Sequence, residues 1–282
     1  MAFWGKTFAF NEIACEDFDL MLYDIGNTSQ GAGKFASTVS IVEEFIPSRW
    51  KPFFYGVKYE DKLELSMVFG VNQRRLDKEK YLDRYELEMI GSWLTGHDKY
   101  MWLEVQQDDL EYVRYRCIVT KLDIVEFGNI PWALKATIIC DSPYGYLYPQ
   151  EYTYNISGSS QIVFDNESSH NGYYKPVIEI SLNTEDTEEI GDTEETEDTG
   201  NTFSIENVTD NNRIFQFSNV PTAVSTITID NEKCVITSDS GLNMYPYFNF
   251  NFFRLKRGEN ILKITGNGTL KIKCEFPINA GG

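Results

Sequence analysis

Tyr81-Leu82-Asp83-Arg84-Tyr85-Glu86-Leu87-Glu88-Met89-Ile90-Gly91-Ser92-Trp93-Leu94 sets the fold class, because it interrupts a pattern of strands on both sides of it. Apolar side chains fall at Tyr81, Leu82, Tyr85, Met89, Ile90 and Trp93, a spacing that gathers them on one stripe of an α-helix. Asp77 ahead of the stripe can serve as N-cap and Gly96 beyond it as the glycine that ends the last turn. The spacing therefore predicts one long helix over 77–94.

Working outward, the periodicity changes to two. Ser37-Thr38-Val39-Ser40-Ile41-Val42 and Lys62-Leu63-Glu64-Leu65-Ser66-Met67-Val68-Phe69 alternate as half-buried strands do. Phe3, Phe8, Phe10 and the Phe18–Tyr23 run predict short strands earlier still. After the helix come Tyr100–Val105, Tyr112–Val119 and Trp132–Cys140, the first two joined as a hairpin. Asp141-Ser142-Pro143-Tyr144-Gly145-Tyr146 closes this run with turn-forming residues. Residues 1–146 thus read as an α+β domain, β-sandwich-like with one long helix. Residues 147–282 read as an all-β sandwich, with turns at Asp230-Asn231-Glu232 and Gly266-Asn267-Gly268.

The composition is that of a globular chain: 282 residues, 42% apolar and 15% aromatic, enough for two cores. No stretch approaches the ~20 consecutive apolar residues of a membrane span. Met1-Ala2-Phe3-Trp4-Gly5-Lys6 lacks the basic-then-apolar order of a secretory leader. Cys15, Cys117, Cys140, Cys234 and Cys274 form no C-x-x-C pair. All but Cys15 lie in or beside strand-like runs, where a free thiol packs as a small apolar group, which fits folding in a reducing cytoplasm. The net charge is −18, and half of it lies between Thr184 and Thr199, a stretch without Lys or Arg. This acidic run, 184–199, reads as a solvated loop insertion in the second domain. So negative a chain is a poor match for phosphate backbones, so no sequence-specific nucleic-acid binding is expected.

Constellations that carry chemistry are few. His97 and His170 are the only histidines and have no partner at ligand spacing; no H-E-x-x-H, G-x-S-x-G or P-loop pattern occurs. Chance pairs among 43 acidic residues do not identify a glycosidase dyad, which needs surroundings that drive two pKa values apart. The acidic run lacks the spacing that wraps carboxylates around calcium. No catalytic residue, cofactor or metal is expected. Tyr245-Pro246-Tyr247-Phe248-Asn249-Phe250-Asn251-Phe252-Phe253 admits two readings. Exposed, Tyr245 and Tyr247 would stack on sugar rings of a glycan. Alternatively, Phe248, Phe250 and Phe252 would share the core face of a strand, each burial being worth roughly 1.5–3 kcal/mol.

Several segments, in order, resemble one family. Phe3-Trp4-Gly5-Lys6-Thr7-Phe8-Ala9-Phe10-Asn11 with Asp17-Phe18-Asp19-Leu20 resembles the N-terminus of the distal tail (Dit) proteins of siphophages, the hub of the tail tip or baseplate. The helix closing on Trp93-Leu94 before a hairpin, and Cys140-Asp141-Ser142-Pro143-Tyr144-Gly145-Tyr146, are similar to that family's first domain. Ile227-Thr228-Ile229-Asp230, Gly241-Leu242-Asn243, Phe252-Phe253-Arg254-Leu255 and Gly258-Glu259-Asn260 resemble its galectin-like sandwich. The resemblance implies a non-enzymatic structural virion protein, assembled in the host cytoplasm and carried in the distal tail. Its N-terminal belt domain would form a ring, usually a hexamer, between the tail tube protein and the tail-tip hub or tail-associated protein. Its sandwich would project outward, in some members supporting a receptor-binding protein or contacting host glycans. The acidic run departs from the family pattern. A carbohydrate-binding adhesin acting at the host cell surface is the alternative.

A ring requires a head-to-tail contact that closes, and exposed strand edges can pair between neighbours. Phe3, Trp4, Phe8, Trp50, Phe53, Phe54 and Tyr55 are the candidate ring contacts; paired within one chain they would equally be core. An acidic chain also suits a lumen through which DNA slides, since acidic walls repel phosphate.

Overall fold

The computed structural model describes residues 5–26, 39–59, 62–74, 79–107, 112–183 and 201–279. The acidic run, Phe3 and Trp4 lie outside them. The chain divides into two compact units: one runs to Tyr148 and takes back the residues from Pro277 onward, the other is Pro149–Phe276. The return of the C-terminus to the first unit is a feature that a linear division at residue 146 does not anticipate.

In chain order the first unit contains Gly5–Phe10 (β1), Ile13–Ala14 (β2), Leu20–Gly26 (β3), Val39–Glu44 (β4), Phe53–Tyr59 (β5), Glu64–Val71 (β6), the helix Arg84–Thr95 (α1), Met101–Gln107 (β7), Val113–Phe127 (β8), Ile130–Cys140 (β9) and Gly145–Leu147 (β10). An antiparallel sheet runs β2-β1-β7-β8-β9-β6-β3, with β10 added beside β8 and the C-terminal strand Pro277–Ile278 beside β10. Alternation decides the inner face: β6 buries Leu65, Met67 and Phe69, β8 buries Tyr115, Cys117 and Val119, and β9 buries Ala136, Ile138 and Cys140. Among the described residues α1 is the one α-helix, and it lays Ile90, Trp93 and Leu94 into that core.

The helix starts later than its apolar stripe. Its N-cap is Asp83, whose carboxylate accepts the Glu86 N–H at 2.8 Å while Glu86 Oε2 accepts the Asp83 N–H at 3.1 Å, a reciprocal capping box. Asp77 lies outside the described residues. Leu82 is held out of the helix because its N–H donates to the Pro131 carbonyl of β9 at 2.8 Å. Tyr85 and Met89, on the same stripe, remain exposed.

The second unit consists of Gln150–Asn166 (β11), Val177–Leu182 (β12), Asn201–Asn207 (β13), Arg213–Val220 (β14), Thr226–Asp230 (β15), Val235–Ser238 (β16) and Gly258–Cys274 (β17); Pro277–Ile278 is β18. β11 and β17 pair along their whole length. On its other side β17 pairs with β13 up to Thr265 and with β12 from Gly268 onward. The sheet thereby splits into two leaves, β14–β13 and β12–β15–β16, and buries Phe203, Phe215, Ile178 and Ile229. Gly266-Asn267-Gly268, expected as a hairpin turn, lies instead inside one continuous strand, where its partner changes from β13 to β12. Gly266 and Gly268 have φ of +142° and +153°, and a Cβ on Gly268 would sit 2.1 Å from the Ser181 carbonyl oxygen. The turn between β15 and β16 falls where Asp230-Asn231-Glu232 predicts it.

Gly268→Ala is expected to cost roughly 2–4 kcal/mol, seen as a lower urea midpoint at constant slope. Gly158 of β11 has φ +74° but nothing within 4 Å of an added Cβ. Gly158→Ala should therefore cost only the backbone strain, about 1 kcal/mol in the same measurement.

Candidate assembly and binding surfaces

β4 and β5 form a two-stranded sheet of their own, with no further ladder partner among the described residues. Ile41 stands opposite Val57 on one face and Val42 shares the other with Ser40 and Lys58, while Glu43 and Glu44 stand opposite Phe54 and Phe53, so both faces of the hairpin carry apolar groups. The apolar groups are left in solvent: Trp50 is 92% exposed, Phe54 and Tyr55 65%, Ile41 63%. Phe45, Ile46, Val42 and Phe53 are also exposed. Local contacts shape the tip, with the Arg49 guanidinium 3.7 Å from the Phe53 ring centroid and the Tyr55 hydroxyl donating to Glu44 Oε2 at 3.0 Å. A lone two-stranded hairpin is marginally stable in water, and large exposed apolar patches are in general features of interaction surfaces.

The candidate ring residues divide. Trp50, Phe53, Phe54 and Tyr55 belong to this hairpin. Phe8 does not serve as a contact: it is 2% exposed, stacked 5.7 Å from Trp93 and edge-on 5.1 Å from Phe69. β1 is paired with both β2 and β7, so its inner face is core.

Sequence reasoning missed a second exposed tip, where β8 and β9 meet with Ile124, Phe127 and Ile130 in solvent. Gly128 and Asn129 have φ of +61° and +63°, the tight hairpin turn that matches strand twist. The Gly-Asn pair between two apolar residues was the available signal.

The aromatic segment is not a strand. Tyr245–Tyr247 is a 3-10 turn, Phe248 and Phe253 are buried against Phe215, and Phe250 is 64% exposed with φ +60°. The Phe250 and Phe252 rings still pack on Phe248, at 5.9 and 5.0 Å, but no strand lines the three up. Asn249 explains the irregularity: its side chain accepts the Gln216 N–H at 3.3 Å and donates to the Ile214 carbonyl at 2.9 Å, taking the place of a backbone partner for β14. Tyr245 and Tyr247 are half-buried. The Tyr245 hydroxyl donates to the Cys234 carbonyl at 2.9 Å, and its ring lies near-parallel to Phe250 at 6.2 Å.

Two family models account for almost the whole chain: one described as a phage tail protein N-terminal domain matches residues 3–142, and one described as a phage tail C-terminal domain matches residues 144–274. The chain belongs to this family of phage tail proteins. No curated protein matches its sequence. Among solved structures it is similar to the Dit protein of phage SPP1, described as a paradigm of the hub adsorption apparatus in phages infecting Gram-positive bacteria. That match has a TM-score of 0.64 and 12% identity and covers 96% of this chain and 98% of that one. The baseplate of phage P2, in its activated conformation with calcium, aligns over 97% of this chain and 98% of that one at 11% identity, with a TM-score of 0.48. At such identity the SPP1 likeness is one of fold.

In this phage tail protein one carboxylate is held by burial and hydrogen bonds together. The Asp210 side chain is fully buried; its carboxylate accepts Arg254 Nε at 2.7 Å and the Tyr173 hydroxyl at 2.9 Å, and Lys256 Nζ lies 3.9 Å away. The Arg254 guanidinium also lies 3.7 Å over the Tyr173 ring. Burial pushes the Asp210 carboxyl up, but the Arg254 and Tyr173 hydrogen bonds and the positive charges outweigh it and hold the group below the usual carboxylate range. Among the described residues no group of three or more His, Cys, Asp or Glu side chains converges as metal ligands would. His97 packs on Phe10, with Nε2 2.8 Å from the Trp93 carbonyl oxygen.

Because the folded carboxyl titrates below the unfolded one, its stabilisation is complete above the unfolded value of ~3.9 and is lost as pH falls through the lower folded value. Asp210→Asn is expected to lose about 1–3 kcal/mol at neutral pH. Urea unfolding of the two proteins should converge in acid, where the native carboxyl is protonated.

Proposed function

We propose that this phage tail protein is a distal tail subunit that closes into a hexameric ring at the end of the tail, with the β4–β5 hairpin as the contact between neighbours. The observation that carries the reading is the hairpin itself: a pair of strands whose apolar side chains, among them Ile41, Val42, Phe54, Tyr55 and Val57, lie in solvent in one chain. Covering Ile41, Phe54, Tyr55 and Val57 against the next copy removes apolar surface worth roughly 1.5–3 kcal/mol per side chain. The contact is head-to-tail, so six copies satisfy every hairpin only if the circle closes. Membership in the phage tail family and the whole-chain likeness in fold to SPP1 Dit support the same reading.

In this role residues 1–146 are the belt domain, and Phe3 and Trp4 stay candidate contacts from sequence. The ring joins the tail tube protein to the tail-tip hub in the virion, after assembly in the host cytoplasm. The second unit is a galectin-like sandwich that presents an outer surface to a receptor-binding protein, and the chain has no catalytic role. A second reading, a glycan-binding adhesin, is favoured by one feature: the exposed Phe250 ring beside Tyr245, a flat apolar shelf of the kind sugars stack on.

Native mass spectrometry and negative-stain microscopy of the purified protein should show closed rings of about six copies. Ile41→Asp combined with Phe54→Ser should give monomers that keep the wild-type far-UV circular dichroism and a cooperative melting transition, since neither side chain is in the core. A wild-type chain that stays single at every concentration, or a variant that still closes, sinks the reading. Glycan affinity in a monomer, lost in Phe250→Ala, would establish the adhesin instead.

A further inference from the structure

β8 and β9 put two thiols face to face. Cys117 stands opposite Cys140 in their register. Beside them the Asp141 N–H donates to the Arg116 carbonyl at 2.8 Å, so Arg116–Asp141 is a hydrogen-bonded pair of the ladder and Cys117–Cys140 the adjacent non-hydrogen-bonded one. Consistently, the Cys140 N–H turns away from β8 and donates to the Leu63 carbonyl at 2.9 Å. Partners of this kind have Cα atoms about 4.5 Å apart and side chains on one face, within the ~4.4–6.8 Å that a disulfide spans. Both cysteines are fully buried, in line on the core face with Tyr115, Val119 and Ile138. The Cys140 thiol beside it, and burial, push the Cys117 thiol up.

We propose that Cys117 and Cys140 are a redox modification site, a dithiol that closes to an intrachain disulfide when the protein meets a small-molecule disulfide such as oxidised glutathione. Cys117, as thiolate, attacks one sulfur of the oxidant and releases one glutathione, which takes up the proton that Cys117 lost. Cys140 then loses its proton and attacks the Cys117 sulfur of the mixed disulfide, expelling the second glutathione. One S–S bond breaks and one forms; the protein dithiol gives up two electrons and the glutathione disulfide takes them. Access comes from the strand end. Cys140 is the last residue of β9, so fraying toward the Asp141–Pro143 turn uncovers both sulfurs while the rest of the ladder stays paired.

A thiol held up in this way reacts slowly, which preserves the dithiol in a reducing cell and leaves closure to long exposure outside it. Only that timing rests on the tail assignment; the chemistry of the pair does not. The closed bond clamps the end of β9 to β8 and restricts the unfolded chain between them, stabilising the unit that carries the β4–β5 hairpin.

The test uses the full chain with Cys234→Ser, which removes the exposed thiol that would couple molecules. The protein is held with oxidised glutathione, denatured in excess iodoacetamide, digested and mapped. The expected product is a Cys117–Cys140 linked peptide with Cys15 and Cys274 alkylated, and a melting temperature roughly 5–10 °C higher that dithiothreitol reverses. Cys140→Ala in the same background should show neither the link nor the rise. Alkylation of both Cys117 and Cys140, arrest at a glutathione adduct, or a linked form that melts no higher than the reduced one overturns the proposal.

Discussion

The indole of Trp93 lies where the helix, the first strand and the turn after it meet, and the first unit closes around it. Its Nε1–H donates to the Phe10 carbonyl at 3.0 Å, and its ring stacks on Phe8 at 5.7 Å and Phe18 at 4.7 Å. A buried indole needs both an apolar bed and a partner for its N–H, and this is the place in the unit where Trp93 finds them together. The orientation of α1 on the sheet follows. Ile90 and Leu94 are carried into the core with Trp93, while Tyr85 and Met89 are turned out. Among the described residues, no side chain of the β4–β5 hairpin belongs to this core.

The second unit meets a different constraint, since one strand serves two leaves. β17 can change partners only where its backbone adopts angles closed to side chains with a Cβ, at Gly266 and Gly268. Buried asparagines then pin the irregular chain between strands. Asn231 donates to the Pro176 carbonyl and accepts the Phe253 N–H, both at 2.7 Å. Asn260 donates to the carbonyls of Lys256 and Gly258, and Asn207 donates to the Arg254 carbonyl and to Asn260 Oδ1. These amides satisfy backbone groups that a regular ladder would have paired, at the low exposure where an unmade hydrogen bond is most costly.

The exposed surface of such a molecule is set by what the two cores leave over. The buried Asp210 carboxylate is held by Arg254 and the Tyr173 hydroxyl, which reach it from the surface and tie the second unit together. The conspicuous surplus is apolar surface on projecting hairpins: Ile41, Trp50, Phe54 and Tyr55 on one, Ile124, Phe127 and Ile130 on the other. Projecting strand pairs have free edges as well as apolar faces, so they can continue a sheet and bury side chains in the same contact.

The sequence by itself determined the β character, the single long helix among the described residues, and the absence of a motif that would suggest catalysis, because period-two alternation and helical spacing are local properties of the chain. It also placed Trp50, Phe53, Phe54 and Tyr55 among the candidate contacts. What it left open was which apolar residue a neighbouring element covers. Phe8 and Phe54 look alike in sequence, yet the first is closed in by Phe69 and Trp93 and the second has no such cover. The helix start moved to Asp83 because Leu82 is bonded to β9, the Gly266–Gly268 segment continues instead of reversing because β11 runs beside it throughout, and the Phe248–Phe252 alternation forms no strand because the Asn249 side chain substitutes for backbone. Each of these was decided by a contact between residues far apart in the chain, and such contacts exist only once the tertiary structure has formed.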